Sequence, residues 1–108
     1  MEISTDRTEG TAIVRFTGRL DTTAAPEALA HLDALVQEGV PLIVVDLTAV
    51  DFVSSAGLRV LLATAKGVGS GGSLHLFGLN ASVQEVFDVS GFSTILAIFE
   101  NEASALAR

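Results

Sequence analysis

Cysteine, tryptophan and tyrosine are all missing from this 108-residue sequence, which holds only two prolines and two histidines. Without cysteine there are no disulfides, zinc–thiolate sites, iron–sulfur clusters or thiol nucleophiles. Two histidines cannot by themselves hold a metal ion, so no metal and no cofactor is expected. Basic residues are scarce: Lys+Arg number 6 against 13 Asp+Glu, a formal net charge of -7. No basic patch can neutralise a run of phosphates, which excludes nucleic acid and an anionic membrane surface as partners. Apolar runs stay far short of the roughly 20 residues that span a bilayer. The start, Met1-Glu2-Ile3-Ser4-Thr5-Asp6, has neither the basic nor the apolar region of a secretory signal. The expectation is a cytoplasmic protein that does not insert into membranes.

What the chain does have is apolar content, at 49%. One domain's length of such a chain buries about two-thirds of the surface it exposes unfolded, so a single domain over residues 1–108 is expected. Residues 2–8 and 11–17 alternate as strands around a Glu9-Gly10 turn. A helix follows, capped by Thr22 or Thr23, with Pro26 in its first turn and Leu29, Leu32, Leu35 and Val36 on one face up to Gly39. Leu42-Ile43-Val44-Val45 reads as a strand covered on both sides. A second helix starts near Ser55 and carries Leu58, Leu61, Leu62 and Ala65; the glycines from 67 to 72 end it, and a strand returns at 74–77. Ser82-Val83-Gln84-Glu85 fits a capping box opening a third helix, with Val83, Val86 and Phe87 inward and Gly91 at its close. Residues 95–99 read as the last strand, and a short helix follows from Glu100. The order ββαβαβαβα points to an α/β fold with parallel strands and right-handed crossovers.

Gly67-Val68-Gly69-Ser70-Gly71-Gly72 spells G-x-G-x-x-G. A dinucleotide site needs that string after a strand and at the start of a helix. Here it follows a helix and opens a strand, so it reads as a helix end and turn. Serine hydrolysis lacks its G-x-S-x-G elbow, and both His31 and His75 fall within regular elements as surface or rim residues. No catalytic residue is assigned.

The informative stretch is Asp51-Phe52-Val53-Ser54-Ser55-Ala56-Gly57-Leu58-Arg59. It delivers two hydroxyls to a helix N-terminus, where unpaired amides and a partial positive charge tolerate an added phosphate. Taken alone it is also an ordinary serine cap. Ala56 and Gly57 leave room for another backbone to approach.

This stretch resembles the central motif of the STAS domain, the fold of sulfate transporter tails and bacterial anti-sigma factor antagonists. Gly18-Arg19-Leu20-Asp21 is similar to the family's G-x-L-D before its first helix, and Val45-Asp46-Leu47-Thr48 to its strand-end D-L-S. Gly72-Ser73-Leu74 resembles its glycine before the next strand, and Val86-Phe87-Asp88-Val89-Ser90-Gly91-Phe92 its late V-F-x-x-S-G-F/L helix end. The resemblance implies a mixed sheet of four to five strands with three to four helices packed mainly on one face.

In the antagonists the motif commonly reads D-S-[ST]-G-L-G, with the serine after the aspartate phosphorylated. Counting back from Gly57 places that serine on Ser55, with Ser54 as the second candidate. Ser54 stands where the family has its aspartate, and Arg59 where it has its second glycine. Asp51, three residues earlier, is the nearest carboxylate replacement in the sequence. The resemblance implies an anti-sigma factor antagonist that binds a serine-kinase anti-sigma factor, so releasing a sigma factor, and that a serine phosphatase can reset. ATP and magnesium would belong to the kinase. The implied interface joins Asp21, Thr22 and Thr23 to Ser54, Ser55, Ala56, Gly57, Leu58 and Arg59, with Asp21 offering a carboxylate and Leu58 an apolar contact. Two other classes stand beside it: a structural STAS subunit of a lipid-transport ABC system, and a hydrolase using Ser55.

Overall fold

A computed structural model describes residues 1–107. Its elements run β1 (Glu2–Thr8), β2 (Thr11–Leu20), α1 (Ala25–Glu38), β3 (Leu42–Val53), α2 (Ser55–Val68), β4 (Ser73–Phe77), α3 (Ala81–Ser90), β5 (Ala97–Phe99) and α4 (Glu102–Leu106). The strands form one sheet in the order β1-β2-β3-β4-β5. β1 and β2 are an antiparallel hairpin, and every later pairing is parallel. Sequential parallel neighbours require each of α1, α2 and α3 to cross over, which sets all three on the same face.

The period-2 alternation of the strands divides the core between the two faces. Val14, Phe16, Ile43, Val45, Leu74 and Leu76 meet the crossover helices in the larger cluster. Ile13, Leu42, Val44 and Phe77 point the other way and are covered in part by Ala105 and Leu106 of α4. Four helices on five strands, three of them on one face, is the architecture expected from the sequence.

Several boundaries differ from the sequence reading. β2 and β3 run longer than residues 11–17 and 42–45, because irregularities between Arg15 and Thr17 and between Gly18 and Arg19 keep the two strands paired to their ends. The cap of α1 is neither Thr22 nor Thr23. Asp21 accepts from the Ala24 amide at 3.0 Å through its carboxylate and from the Ala25 amide at 2.9 Å through its carbonyl. The Ser82 box is not formed either: Asn80 caps α3, its Oδ1 accepting from the Val83 amide at 2.8 Å. The last strand covers only residues 97–99, since a short 3₁₀ turn at Phe92–Thr94 uses the chain before it. On α1 it is Ala25 and Ala28 that are buried with Leu32 and Leu35, whereas Leu29 is exposed and Val36 half-buried. The glycine-rich segment closes α2 and leads into β4.

Candidate functional site at the paired strand ends

β2 and β3 finish side by side, with Leu20 opposite Val53, and each feeds directly into a helix. The N-termini of α1 and α2 therefore emerge together beyond the carboxyl ends of two parallel strands, a region where open α/β sheets place their working residues. The two joins are tied to each other. The Ser54 amide donates to the Leu20 carbonyl at 3.0 Å, and its hydroxyl lies 3.4 Å from the same oxygen. The segments Asp21 to Thr23 and Ser54 to Arg59 therefore begin at adjoining strand ends.

Within the serine pair the work is divided. Ser54 is half-buried in extended conformation, and its Oγ accepts from the Gly57 amide at 3.2 Å. It is the N-cap of α2. Ser55 is the first helical residue, exposed, and its hydroxyl makes no hydrogen bond among the described residues. The Ser55 and Ala56 amides have no intrahelical acceptor, since the first turn of any helix leaves such donors free. A hydroxyl at this position is presented to solvent on the positive end of a 14-residue helix.

Gly57 serves the fold. A Cβ there would lie 2.5 Å from the Leu20 carbonyl oxygen and 2.8 Å from the Leu20 Cγ. The backbone that approaches this glycine is the end of β2, not a partner as its sequence suggested. Leu58 is likewise 95% buried, at 5% relative exposure, so most of its apolar surface belongs to the core rather than to an interface.

Asp21 is committed locally as well. Its hydrogen bond from the Ala24 amide, aided by the Thr23 amide and the Arg19 charge, holds the carboxyl below its ordinary range against the opposing effect of burial. Arg19 Nε lies 3.7 Å from Oδ2 of Asp21, and the same guanidinium stacks 4.2 Å above the Phe52 ring. Thr22 and Thr23 are exposed, and so is Arg59. Arg59 forms no ion pair among the described residues, unlike Arg7, Arg15 and Arg19. Asp51 remains within β3 and hydrogen-bonds to neither serine.

Neither histidine is placed to activate either hydroxyl. His31 Nε2 pairs with the Thr5 hydroxyl at 3.0 Å, on the side of α1 facing β1. His75 Nδ1 meets the Ala105 carbonyl at 2.7 Å, and its ring packs 4.5 Å from that of Phe99 beneath α4. His75 is therefore half-buried under a helix rather than on a free polar face. A general base must come within hydrogen-bond reach of the proton it takes, and both histidines are engaged elsewhere. What the site offers is an exposed hydroxyl at a helix N-terminus.

A family model described as the STAS domain matches residues 2–105. The chain belongs to the STAS domain family. Over 108 residues it is 36% identical to the Bordetella bronchiseptica protein BtrV, whose name gives it provisionally as an anti-sigma factor antagonist; the match covers 99% of this chain and 93% of that one. It is 31% identical to the anti-sigma F factor antagonist of Paenibacillus polymyxa, covering 98% of this chain and 92% of the relative. Its fold also matches that of the Bacillus cell-fate determinant SpoIIAA in its phosphorylated form, with a TM-score of 0.73 at 20% identity, over 95% of this STAS chain and 96% of the other. No helix among the described residues is long and apolar enough to cross a membrane.

Proposed function

We propose that this STAS protein is an anti-sigma factor antagonist switched by phosphorylation of Ser55. Unmodified, it binds an anti-sigma factor of the serine-kinase type through Asp21, Thr22 and Thr23 and the exposed part of the α2 N-terminus, and the sigma factor is set free. The kinase then switches the antagonist off. The Ser55 oxygen attacks the γ-phosphorus of the kinase's ATP, the Oγ–P bond forms, the bond to the bridging oxygen breaks, ADP leaves and the hydroxyl proton is released. A serine phosphatase reverses the step by hydrolysis. The observation that carries this reading is the division of labour between adjacent serines: Ser54 is consumed by capping, while Ser55 is exposed and unbonded at an anion-favouring position. The relatives' names support the same reading over a structural role in an ABC system.

The phosphate adds about -1.5 to -2 charge. On the free protein the helix amides accommodate it, so the fold is little changed. In the complex it must be desolvated against a surface shaped for a hydroxyl, which costs about 2–5 kcal/mol, or roughly 30-fold to several thousandfold in affinity. Binding to the purified anti-sigma factor, followed by calorimetry for wild type, Ser55→Ala and Ser55→Asp, tests this. Ser55→Ala is expected to bind yet resist phosphorylation, and Ser55→Asp to fold normally and bind weakly. Equal affinity for all three proteins would overturn the switch.

A further inference from the structure

Ser55 also lines a groove of about 550 Å³ between α2 and α3, together with Leu58, Ser82, Glu85, Val86 and Val89. The groove brings residues of the central motif together with Val86 and Val89 of the late one, and neither motif by itself says what the groove is for. Val86 and Val89 lie three apart on α3 and so share one helix face. Val86 still packs partly against the core, but Val89 is 82% exposed, the most exposed large apolar side chain among the described residues. Neither cap nor core needs it there. Its surroundings are acidic: Glu85 lines the groove, and Asp88, hydrogen-bonded to Gln84, sits exposed on the same helix. A lone exposed valine would be unremarkable, but this one forms the wall of an apolar groove whose mouth carries the acceptor hydroxyl.

We infer that the α2–α3 groove is the second half of the docking surface, and that it receives an apolar side chain of the anti-sigma factor flanked by basic residues. The inference rests on the proposed function and extends it from the switch residue to the means by which the partner reads it. Continuity with Ser55 gives the location, and the carboxylates of Glu85 and Asp88 give the charge of the flanking residues. An apolar anchor seated beside Ser55 also explains why a phosphate there is effective: it places a strongly hydrated dianion on the rim of the cavity that the anchor must enter dry.

Val89→Asp and Glu85→Lys test the inference without touching the cap or the buried core. With the purified anti-sigma factor, Val89→Asp is expected to weaken binding by about tenfold or more, at unchanged melting temperature. Glu85→Lys is expected to weaken binding at about 50 mM sodium chloride and much less at about 500 mM, where screening removes the charge contrast. Wild-type affinity for Val89→Asp, alongside weak binding of Ser55→Asp, would overturn the groove while leaving the switch standing. Failure of the wild-type chain to bind any kinase-type anti-sigma factor would overturn both. Sedimentation of the isolated chain covers the other occupant: a wild-type dimer that Val89→Asp dissociates would assign the groove to a second copy and defeat the inference.

Discussion

The two faces of the sheet solve the same burial problem differently. On the face of α1, α2 and α3 the larger cluster is made of apolar side chains, with Phe16, Leu20, Leu32, Ile43, Leu61 and Phe87 essentially inaccessible. On the other face a smaller apolar cluster under α4 adjoins an ionic one. Arg15 on β2 donates to Asp46 and Glu102 at 2.8 Å each and to Asp6 at 2.9 Å, so one guanidinium ties β1, β2, β3 and α4 together. The hydrogen bonds it donates to those three carboxylates, the one to Glu102 first, raise the Arg15 pKa further above its ordinary value. The difference shows where rigidity is needed. The proposed docking edge is carried by the apolar face, whose packing fixes the start of α2 and leaves Ser55 exposed. The ionic face holds the short α4 down and lies outside the site.

This contrast is broken most severely by a charge on the apolar face. Leu61→Asp places an unpaired carboxylate among inaccessible side chains and is expected to abolish folding, read as loss of the cooperative thermal transition by circular dichroism. A Leu61→Asp protein that melts like wild type would mean that α2 does not pack as described.

On the ionic face the expected loss is smaller. Asp46 is mostly buried, accepting at Oδ1 from the Thr48 amide at 2.9 Å and hydroxyl at 2.7 Å, and at Oδ2 from Arg15. Burial alone would raise its pKa, but the Thr48 and Arg15 bonds outweigh that and hold it below the ordinary value. A carboxyl depressed on folding stabilises the protein above its unfolded pKa of about 4, and that stability disappears as pH falls through the lower folded value. Asp46→Ala is therefore expected to cost about 1–3 kcal/mol at neutral pH and progressively less below about pH 4. Denaturant melts at several pH values check it, and a constant difference down to about pH 2 would contradict the assignment.

The finest comparison is between neighbouring serines. Ser54→Ala removes the α2 cap and is expected to cost about 1 kcal/mol, a few degrees of melting temperature, whereas Ser55→Ala should change stability by less than about 0.5 kcal/mol. Calorimetric melting of the two variants separates them.

Much of this was legible in the sequence because the chain's periodicities are consistent with its turns. The β-branched run at Leu42–Val45, the apolar spacing of α2 and the glycines between helices and strands set the element order, and it was the resemblance to the family's motif, counted back from Gly57, that pointed to Ser55. Caps were less legible, because several short polar residues compete near each helix start. Asp21 won over Thr22 and Thr23 because a tight turn precedes α1, and Asn80 over Ser82 because α3 begins two residues earlier than the Ser82 box requires. Burial at helix ends was also hidden. Leu29 and Val89 carry the apolar character of core residues, yet each lies along a groove beside α2, which only the packing of the helices reveals. The signal in reserve was alanine: Ala25 and Ala28, three apart, mark the close contact of α1 with the core.

The central claim is that Ser54 builds the helix and Ser55 carries the switch. Incubating the chain with the partner kinase, ATP and magnesium, and then locating the phosphate by fragmentation mass spectrometry, addresses it directly. The account predicts a single phosphate on Ser55, retained in Ser54→Ala and absent from Ser55→Ala. A phosphate on Ser54, or none on either serine, would contradict it.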